Sequence, residues 1–274
     1  MSAGVVGLVL VAAVLHAGWN ALLHGGGDQL RMATLMSIAT AVIALPFALL
    51  LPLPDRASWP YLLISAAVQV LYILFLVRVY RVADLGSVYP VIRGSVPLFV
   101  TLGATIAVGE QLSPPMLLGI GLVSFGTMAM LGGKDNGGLK AMTLAVVTGG
   151  IIALYTVIDG VGARLAGNPH AYTAWIFLVF GVLMPAAFVA LRGISPLGYA
   201  PELHTAVLAG VIQILTYAVV IWAFTLSPLG PISALRQTSV VAATLIGWRF
   251  RGESLSALRL GACAVILAGA ALLS

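Results

Sequence analysis

Charged residues are scarce in this chain. Only 8% of its 274 residues are Asp, Glu, Lys or Arg, while 61% are hydrophobic, and an ordinary soluble domain is about 25% charged. A core built from a chain of this length cannot bury so much apolar surface, so lipid must cover part of it. The 13 Lys and Arg residues are scattered over loops and helix ends, which argues against a nucleic-acid-binding patch.

Cysteine and recognisable catalytic motifs are also lacking. Cys263 is the single cysteine and lies in an apolar run, which excludes an internal disulfide and favours inert packing. The sequence contains no metal-ligand spacing, no phosphate-binding loop for ATP and no Ser-His-Asp set. We therefore expect neither an enzyme nor a cofactor, and any uphill transport must use an ion gradient.

Long apolar runs are what the chain does contain. A helix of about 20 apolar residues crosses a bilayer. Ten such runs lie between Pro- and Gly-containing joins, at residues 5–23, 32–53, 61–80, 87–108, 115–131, 140–160, 170–191, 204–225, 231–250 and 257–273. These runs predict an all-α, polytopic protein of the cytoplasmic membrane with ten transmembrane helices. The first 14 residues lack the basic region of a signal peptide and are expected to belong to the first span.

The second half of the chain resembles the first. Ile212-Gln213-Ile214-Leu215 repeats Val68-Gln69-Val70-Leu71 at an offset of 144 residues. After the fourth run comes Gly109-Glu110-Gln111-Leu112-Ser113, and after the ninth comes Gly252-Glu253-Ser254-Leu255-Ser256. Two matching segments in the same order predict a duplicated unit.

Two repeats of five spans, residues 1–134 and 135–274, would have opposite orientations because five is an odd number. This inverted arrangement is typical of secondary transporters, whose substrate site lies between the repeats. Lys and Arg collect in the joins after odd-numbered spans. The positive-inside rule then predicts that both termini lie outside the cytoplasm.

This pattern resembles the EamA-type permeases of the drug/metabolite transporter superfamily over essentially the whole chain. The shared features are the two five-span halves, the Gly-Glu-x-Leu-Ser segments and the small residues after them, which are Gly119, Gly121, Gly126, Gly261 and Gly269. The resemblance implies export of amino acids, other metabolites or toxic cations, and some relatives carry sugar phosphates or nucleotide sugars. Trp19 and Asn20 are adjacent, whereas many members have a first-span Trp and Asn spaced apart.

The first span carries a polar face. His16, Trp19 and Asn20, with His24 beyond them, recur at helical spacing. A polar group inside a span is costly, by about 3 kcal/mol or more for a central charge, and is a functional candidate. The face either lines a cavity, with His16 sensitive to protons, or hydrogen-bonds neighbouring helices.

Paired amides and phenols follow in the third and eighth spans. Tyr72 lies one turn beyond Gln69, and Tyr217 lies one turn beyond Gln213. Such groups bind the polar ends of a small solute, while the rings give apolar or cation–π contacts. The alternative is hydrogen bonding between helices.

Two arginines lie about 10 Å into the fourth and ninth spans. Tyr89 precedes Arg93 by one turn, and Gln237 follows Arg236. The arginines bind a carboxylate or phosphate, brace a gate, or snorkel to the interface. The glutamates of the two matching segments, Glu110 among them, are expected to cap the following helices.

Asp159 is the acid inside a span, one turn after Tyr155. It pairs with an arginine, binds a cationic group, or is solvated near the helix end. The predicted substrate-binding set is therefore His16, Trp19, Asn20, Gln69, Tyr72, Tyr89, Arg93, Tyr155, Gln213, Tyr217, Arg236 and Gln237, and the coupling or gating candidates are His16, Asp159, Arg93 and Arg236. No metal site is expected.

The predicted function is secondary transport that exports small metabolites, above all neutral or aromatic amino acids, by alternating access between the repeats. The expected partners are a small-molecule substrate and the lipid bilayer, without nucleic acid or ATP. Efflux of lipophilic cations or drugs is the alternative within this class. An integral-membrane enzyme is the alternative from another class.

Overall fold

A computed structural model describes residues 1–23, 28–83, 85–131, 138–197, 202–251 and 256–274, without the side chains of residues 19–23, 85, 250 and 251. These parts of the chain are helical and contain no strand. In chain order the helices are α1 (Ala3–Leu23), α2 (Gln29–Leu50), α3 (Trp59–Tyr80), α4 (Leu85–Val108), α5 (Pro114–Met128), α6 (Gly138–Leu165), α7 (Pro169–Arg192), α8 (Leu203–Leu226), α9 (Leu229–Leu235), α10 (Ser239–Arg251) and α11 (Ala257–Leu273).

The all-α class is confirmed, and the helices have the length and composition of membrane spans. Within the described residues, six segments are long and apolar enough to cross a membrane, with mean hydropathy between 1.7 and 2.4: Gln29–Leu50, Arg56–Tyr80, Gly86–Val108, Gly138–Leu165, Pro169–Arg192 and Leu203–Leu226. Three shorter apolar helices accompany them, at Ala3–Gly18, Pro114–Met128 and Ala257–Leu273. The count of ten spans and their inverted arrangement remain predictions.

The ninth predicted span is broken in the structure. A 3-10 turn at Arg236–Thr238 separates α9 from α10. Two side chains of the turn bond to backbone carbonyl oxygens of α9: Gln237 Nε2 donates to Ser233 O at 3.1 Å, and Thr238 Oγ1 donates to Leu235 O at 2.7 Å. Such bonds compete with the regular helical ladder, so they favour a local change of helix type.

Helix starts follow ordinary capping chemistry. The Asp28 carboxylate accepts from Leu30 N at 3.0 Å at the start of α2, and Asn168 Oδ1 accepts from His170 N at 2.9 Å at the start of α7. Each bond satisfies a backbone donor that has no partner within its helix. These caps fix the positions at which α2 and α7 begin.

Glycines bring α5 and α11 into close contact. A Cβ atom added at Gly119 would lie 2.8 Å from Gly269 O, and one at Gly126 would lie 3.1 Å from Ala262 O. The residue numbers at these contacts rise along α5 while they fall along α11, so the two helices are antiparallel. Small residues permit this approach without relying on the hydrophobic effect, which is weak between helices in lipid.

The neighbours of each helix form a matched scheme. α2 packs against α7, and α5 packs against α11. The contact of α1 with α8 corresponds to that of α6 with α3. In the same way, the contact of α2 with α8 corresponds to that of α7 with α3. Exchanging the first five helices with the later ones therefore largely reproduces the same set of contacts.

The joins that follow α2, α4, α6 and α8 are connected to one another. Asp55 N donates to Ala166 O at 3.2 Å, which links the first and third of these joins. The Arg164 guanidinium forms an ion pair with Glu110 at 2.7 Å and donates to Ser227 O at 3.2 Å. These four joins consequently lie at one end of the helical bundle.

The joins after α1 and α7 lie together in the same way. Arg192 pairs with Asp28 at 2.8 Å, and Arg31 Nε donates to Pro196 O at 3.3 Å. These residues lie in or directly beside the joins that follow odd-numbered spans. The chain therefore passes back and forth between two ends.

Glu110 does not cap the helix that follows it, as the sequence had suggested. α5 begins with Pro114 and Pro115, which have no N–H to donate. Glu110 Oε2 instead accepts from Leu229 N at 2.9 Å, at the start of α9. The predicted cap thus exists, but on a helix of the other half. Glu253 lies outside the described residues.

Candidate functional site

A small central cavity lies where α1, α3, α4, α6, α7, α8 and the turn after α9 meet. Its volume is about 60 Å³. The lining residues are His16, Gln69, Tyr72, Ile73, Arg93, Tyr155, Phe180, Gln213, Thr216, Tyr217 and Arg236. The elements that contribute them come from both halves of the chain.

Most of the predicted site residues meet in this cavity. Eight of them line it: His16, Gln69, Tyr72, Arg93, Tyr155, Gln213, Tyr217 and Arg236. Tyr89, Asp159 and Gln237 are not among the lining residues. The side chains of Trp19 and Asn20, and all of His24, lie outside the described residues. The structure brings the eight together, and their role in binding remains a prediction.

Asp159 lies behind the cavity wall. Its residue is 1% exposed, and its carboxylate accepts hydrogen bonds from Tyr172 Oη at 3.0 Å and from Tyr217 Oη. The idea that Asp159 is solvated near a helix end is wrong, because α6 continues to Leu165. Two phenol donors instead satisfy the carboxylate inside the protein, as a buried acid requires.

Tyr217 also connects this carboxylate to Gln69. Gln69 Nε2 donates to Tyr217 Oη at 3.1 Å and to Ser65 Oγ at 3.2 Å. A phenol oxygen can donate one hydrogen bond and accept another. The chain from Gln69 through Tyr217 and Asp159 to Tyr172 therefore links α3, α8, α6 and α7.

Aromatic rings form the apolar part of the site. The Tyr72 and Tyr155 ring centroids are 5.8 Å apart at an interplanar angle of 51°. Phe177 meets Tyr217 edge to face, with centroids 5.2 Å apart. Aromatic pairs at these separations favour tilted or edge-to-face contact, so they hold the three cavity tyrosines in fixed orientations.

Arg93 is buried at the cavity. It is 7% exposed, and its Nη2 atom donates to Ser239 Oγ at 3.4 Å, whereas its Nε atom has no acceptor among the described residues. The Tyr89 ring centroid lies 6.0 Å from the guanidinium carbon, which is at the outer limit for a cation–π contact. This position does not match an arginine that snorkels to the membrane interface.

Arg236 faces the same cavity from the turn after α9. Its Nε atom is buried and has no acceptor within the residues that the structure describes. Neither Arg236 nor Arg93 forms an ion pair with a carboxylate in the described part of the chain. Gln237, the next residue, is 2% exposed and bonds to Ser233. Gln237 therefore stabilises the helix break and does not line the cavity.

Four residues around the site escaped the sequence reasoning. Ile73 lies one turn after Gln69, and Thr216 lies between Gln213 and Tyr217, so helical spacing alone could have found both. Phe180 and Tyr172 belong to the long apolar run of α7. Nothing in that run distinguishes them from packing residues, because their role depends on contacts with α6 and α8.

Comparisons with known proteins bear on the fold. No protein-family model matches the chain, and no curated protein matches it. A solved structure, described only as the crystal structure of a protein, matches with a TM-score of 0.72 and 21% sequence identity, over 98% of this chain and 94% of the other. The fold is therefore shared with a solved protein. At this identity the likeness extends to the fold alone.

Proposed function

We propose that this protein is a secondary transporter of the cytoplasmic membrane, related to the EamA-type permeases, that exports small metabolites and above all neutral or aromatic amino acids. The observation that carries the proposal is the central cavity. Polar residues at matching positions of the two halves, Gln69 with Gln213 and Arg93 with Arg236, line it together. A substrate site between repeats is where secondary transporters bind their solutes.

The inverted repeat has support in the packing. The matched neighbours, such as α1 against α8 and α6 against α3, are what a two-fold relation between halves would produce. The alternating joins agree with an odd number of crossings in each half. Leu273, at the end of α11, lies against the position of Gly119 near the start of α5, which places the C-terminus at the end where the even-numbered joins meet.

The placement of polar groups favours transport over membrane-embedded catalysis. An enzyme acting on a lipid headgroup would gather its His, Asp and Arg residues at one membrane interface. Here His16, Arg93 and Arg236 converge on a cavity inside the bundle, and Asp159 lies directly behind its wall. A cavity surrounded by seven helical elements suits a solute that passes through the bundle.

Movement of the helices is part of the proposal. The cavity volume of about 60 Å³ is well below the roughly 300 Å³ at which ligand pockets usually begin. Entry of an amino acid therefore requires helices around the cavity to shift. Discontinuous helices beside the substrate site are common in secondary transporters, and the turn at Arg236–Thr238 is such a break.

Flux through the purified protein tests the proposal. Proteoliposomes preloaded with unlabelled phenylalanine or leucine are expected to accumulate the labelled amino acid by exchange. Gln69→Ala combined with Gln213→Ala should reduce this exchange strongly, because it removes both cavity amides. Leu154→Ala, which changes a side chain 52% exposed on the bundle surface, is the matched control. Exchange no greater than in protein-free vesicles, for every amino acid tried, would contradict the proposal.

A further inference from the structure

The charge of the cavity is one-sided. Two guanidinium groups, Arg93 and Arg236, line it, and no Asp or Glu among the described residues does. The Nε atom of each is buried and has no acceptor in the described part of the chain, and Arg93 as a whole is only 7% exposed. A buried ionised donor without an acceptor is unfavourable. Even with Asp159 behind the wall, two guanidinium groups leave the charge around the cavity net positive.

Asp159, the acid behind the cavity wall, already has other hydrogen-bond partners. One carboxylate oxygen accepts from Tyr172 and the other from Tyr217. Tyr217 lines the cavity and stands between it and the carboxylate. An ammonium group inside the cavity would therefore meet two arginines but no accessible carboxylate.

A carboxylate would satisfy both features at once. Its two oxygens can accept about four hydrogen bonds and match the planar donors of a guanidinium. Tyr72, Tyr155 and Phe180 line the same cavity and add aromatic surface to it. A ring and a carboxylate joined by a short chain present these two kinds of surface.

We infer that Arg93 and Arg236 jointly form a carboxylate site, and that the ligand is an aromatic monocarboxylate for which an α-amino group is not required. The inference rests on the proposed transport function and narrows its substrate class. Arylalkanoates without an amine bind at least as tightly as the corresponding amino acids. Amines without a carboxylate are rejected, because two arginines repel them.

Three compounds with the same ring separate these contributions. Binding of phenylalanine, 3-phenylpropionate and 2-phenylethylamine to the purified protein is measured by ligand-dependent thermal stabilisation, and their exchange is measured in proteoliposomes. We expect 3-phenylpropionate to bind at least as tightly as phenylalanine, and 2-phenylethylamine to bind at least a hundredfold more weakly. Binding of 2-phenylethylamine overturns the inference but leaves the proposed transport function intact. The same holds if phenylalanine binds and 3-phenylpropionate does not. If none of the three binds, the inference falls, and amino-acid exchange then decides the proposed function separately.

Substitution of the arginines tests the assignment of the site. Arg93→Gln and Arg236→Gln should each weaken 3-phenylpropionate binding roughly ten- to hundred-fold, the range of a lost charge-assisted hydrogen bond. Arg→Lys at either position should rescue binding in part, because it restores the charge without the planar donor pair. Arg56→Gln removes an exposed arginine outside the cavity and should leave affinity unchanged. Folding of each variant is checked by its elution and unfolding midpoint, and Lys variants remain informative if a Gln variant does not fold. Affinity within twofold of the parent in folded variants at both positions overturns the inference.

Discussion

Tyr217 has two roles at the level of single residues. Its ring lines the cavity, and its hydroxyl donates to Asp159 while accepting from Gln69. Tyr172 also donates to Asp159, at 3.0 Å, but it is not a lining residue. Tyr172 therefore only supports the carboxylate, whereas Tyr217 both supports it and lines the cavity. A comparison of the two residues distinguishes these roles.

Removing each hydroxyl in turn should divide these roles. Tyr172→Phe and Tyr217→Phe should both lower the free energy of unfolding by about 1–3 kcal/mol, because each removes a hydrogen-bond donor to a buried carboxylate. Tyr217→Phe should in addition slow phenylalanine exchange, since Gln69 loses one of its two acceptors. Unfolding in detergent and exchange at equal protein amounts measure the two effects. An equal loss of exchange in Tyr172→Phe would show that Tyr217 has no separate role.

Helical spacing was sufficient to identify much of the cavity face. Gln69 and Tyr72, like Gln213 and Tyr217, were recognised because polar residues one turn apart share a side of the helix. The same reasoning could not supply Tyr172 as a partner of Asp159, because that bond joins two different helices. The orphaned guanidinium Nε atoms were equally unpredictable, since they depend on what every neighbouring helix places nearby.

At the level of helices, α5 and α11 provide a test of close packing. Gly119→Ala should destabilise the protein by about 1–3 kcal/mol, the usual effect of overpacking, because the added methyl would lie 2.8 Å from Gly269 O. Gly121→Ala adds the same methyl where nothing lies within 4 Å. It should stabilise the helix by up to about 1 kcal/mol, because alanine favours helix more than glycine does.

Unfolding midpoints of the two variants in the same detergent measure this difference. Opposite signs at Gly119 and Gly121 are the expected result. Equal midpoints would mean that the α5–α11 contact adjusts freely and that the glycines do not determine it.

The break in the ninth span shows why hydropathy alone missed a helix boundary. Apolar composition continues from α9 into α10, so a search for long apolar runs finds one segment. The side chains of Gln237 and Thr238, which bond to carbonyl oxygens, end the regular helix instead. Such local bonds depend on rotamers that composition does not specify.

At the level of the whole molecule, the alternating joins predict that both termini lie on one side of the membrane. Reporter fusions at Ser2 and Ser274 should give the same side, and a fusion at Ser195, in the join after α7, should give the other. The expectation follows from an even number of crossings. Opposite locations for the two termini would contradict the ten-span count and with it the inverted repeat.

Composition was sufficient to predict the fold class, whereas the number of spans is harder to infer because some helices are short. α5 has 15 residues and α11 has 17, so at about 1.5 Å per residue each is shorter than a bilayer core of roughly 30 Å. Sequence reasoning extended the first of these to residue 131 because the apolar run continues. Glycine contacts along both helices, not length, hold them against each other.

Glu110 connects three helices, so its bonds are thermodynamically linked to any movement of those helices. It follows α4, which carries Arg93, and it bonds to Arg164 of α6 and to Leu229 at the start of α9, the helix that leads to Arg236. A ligand that changes the spacing of these helices necessarily changes the free energy of the Glu110 bonds. By reciprocity, neutralising or competing for the Glu110 carboxylate alters ligand affinity by the same factor. A ligand that moves these helices would therefore couple occupancy of the cavity to the ionic conditions at one end of the bundle.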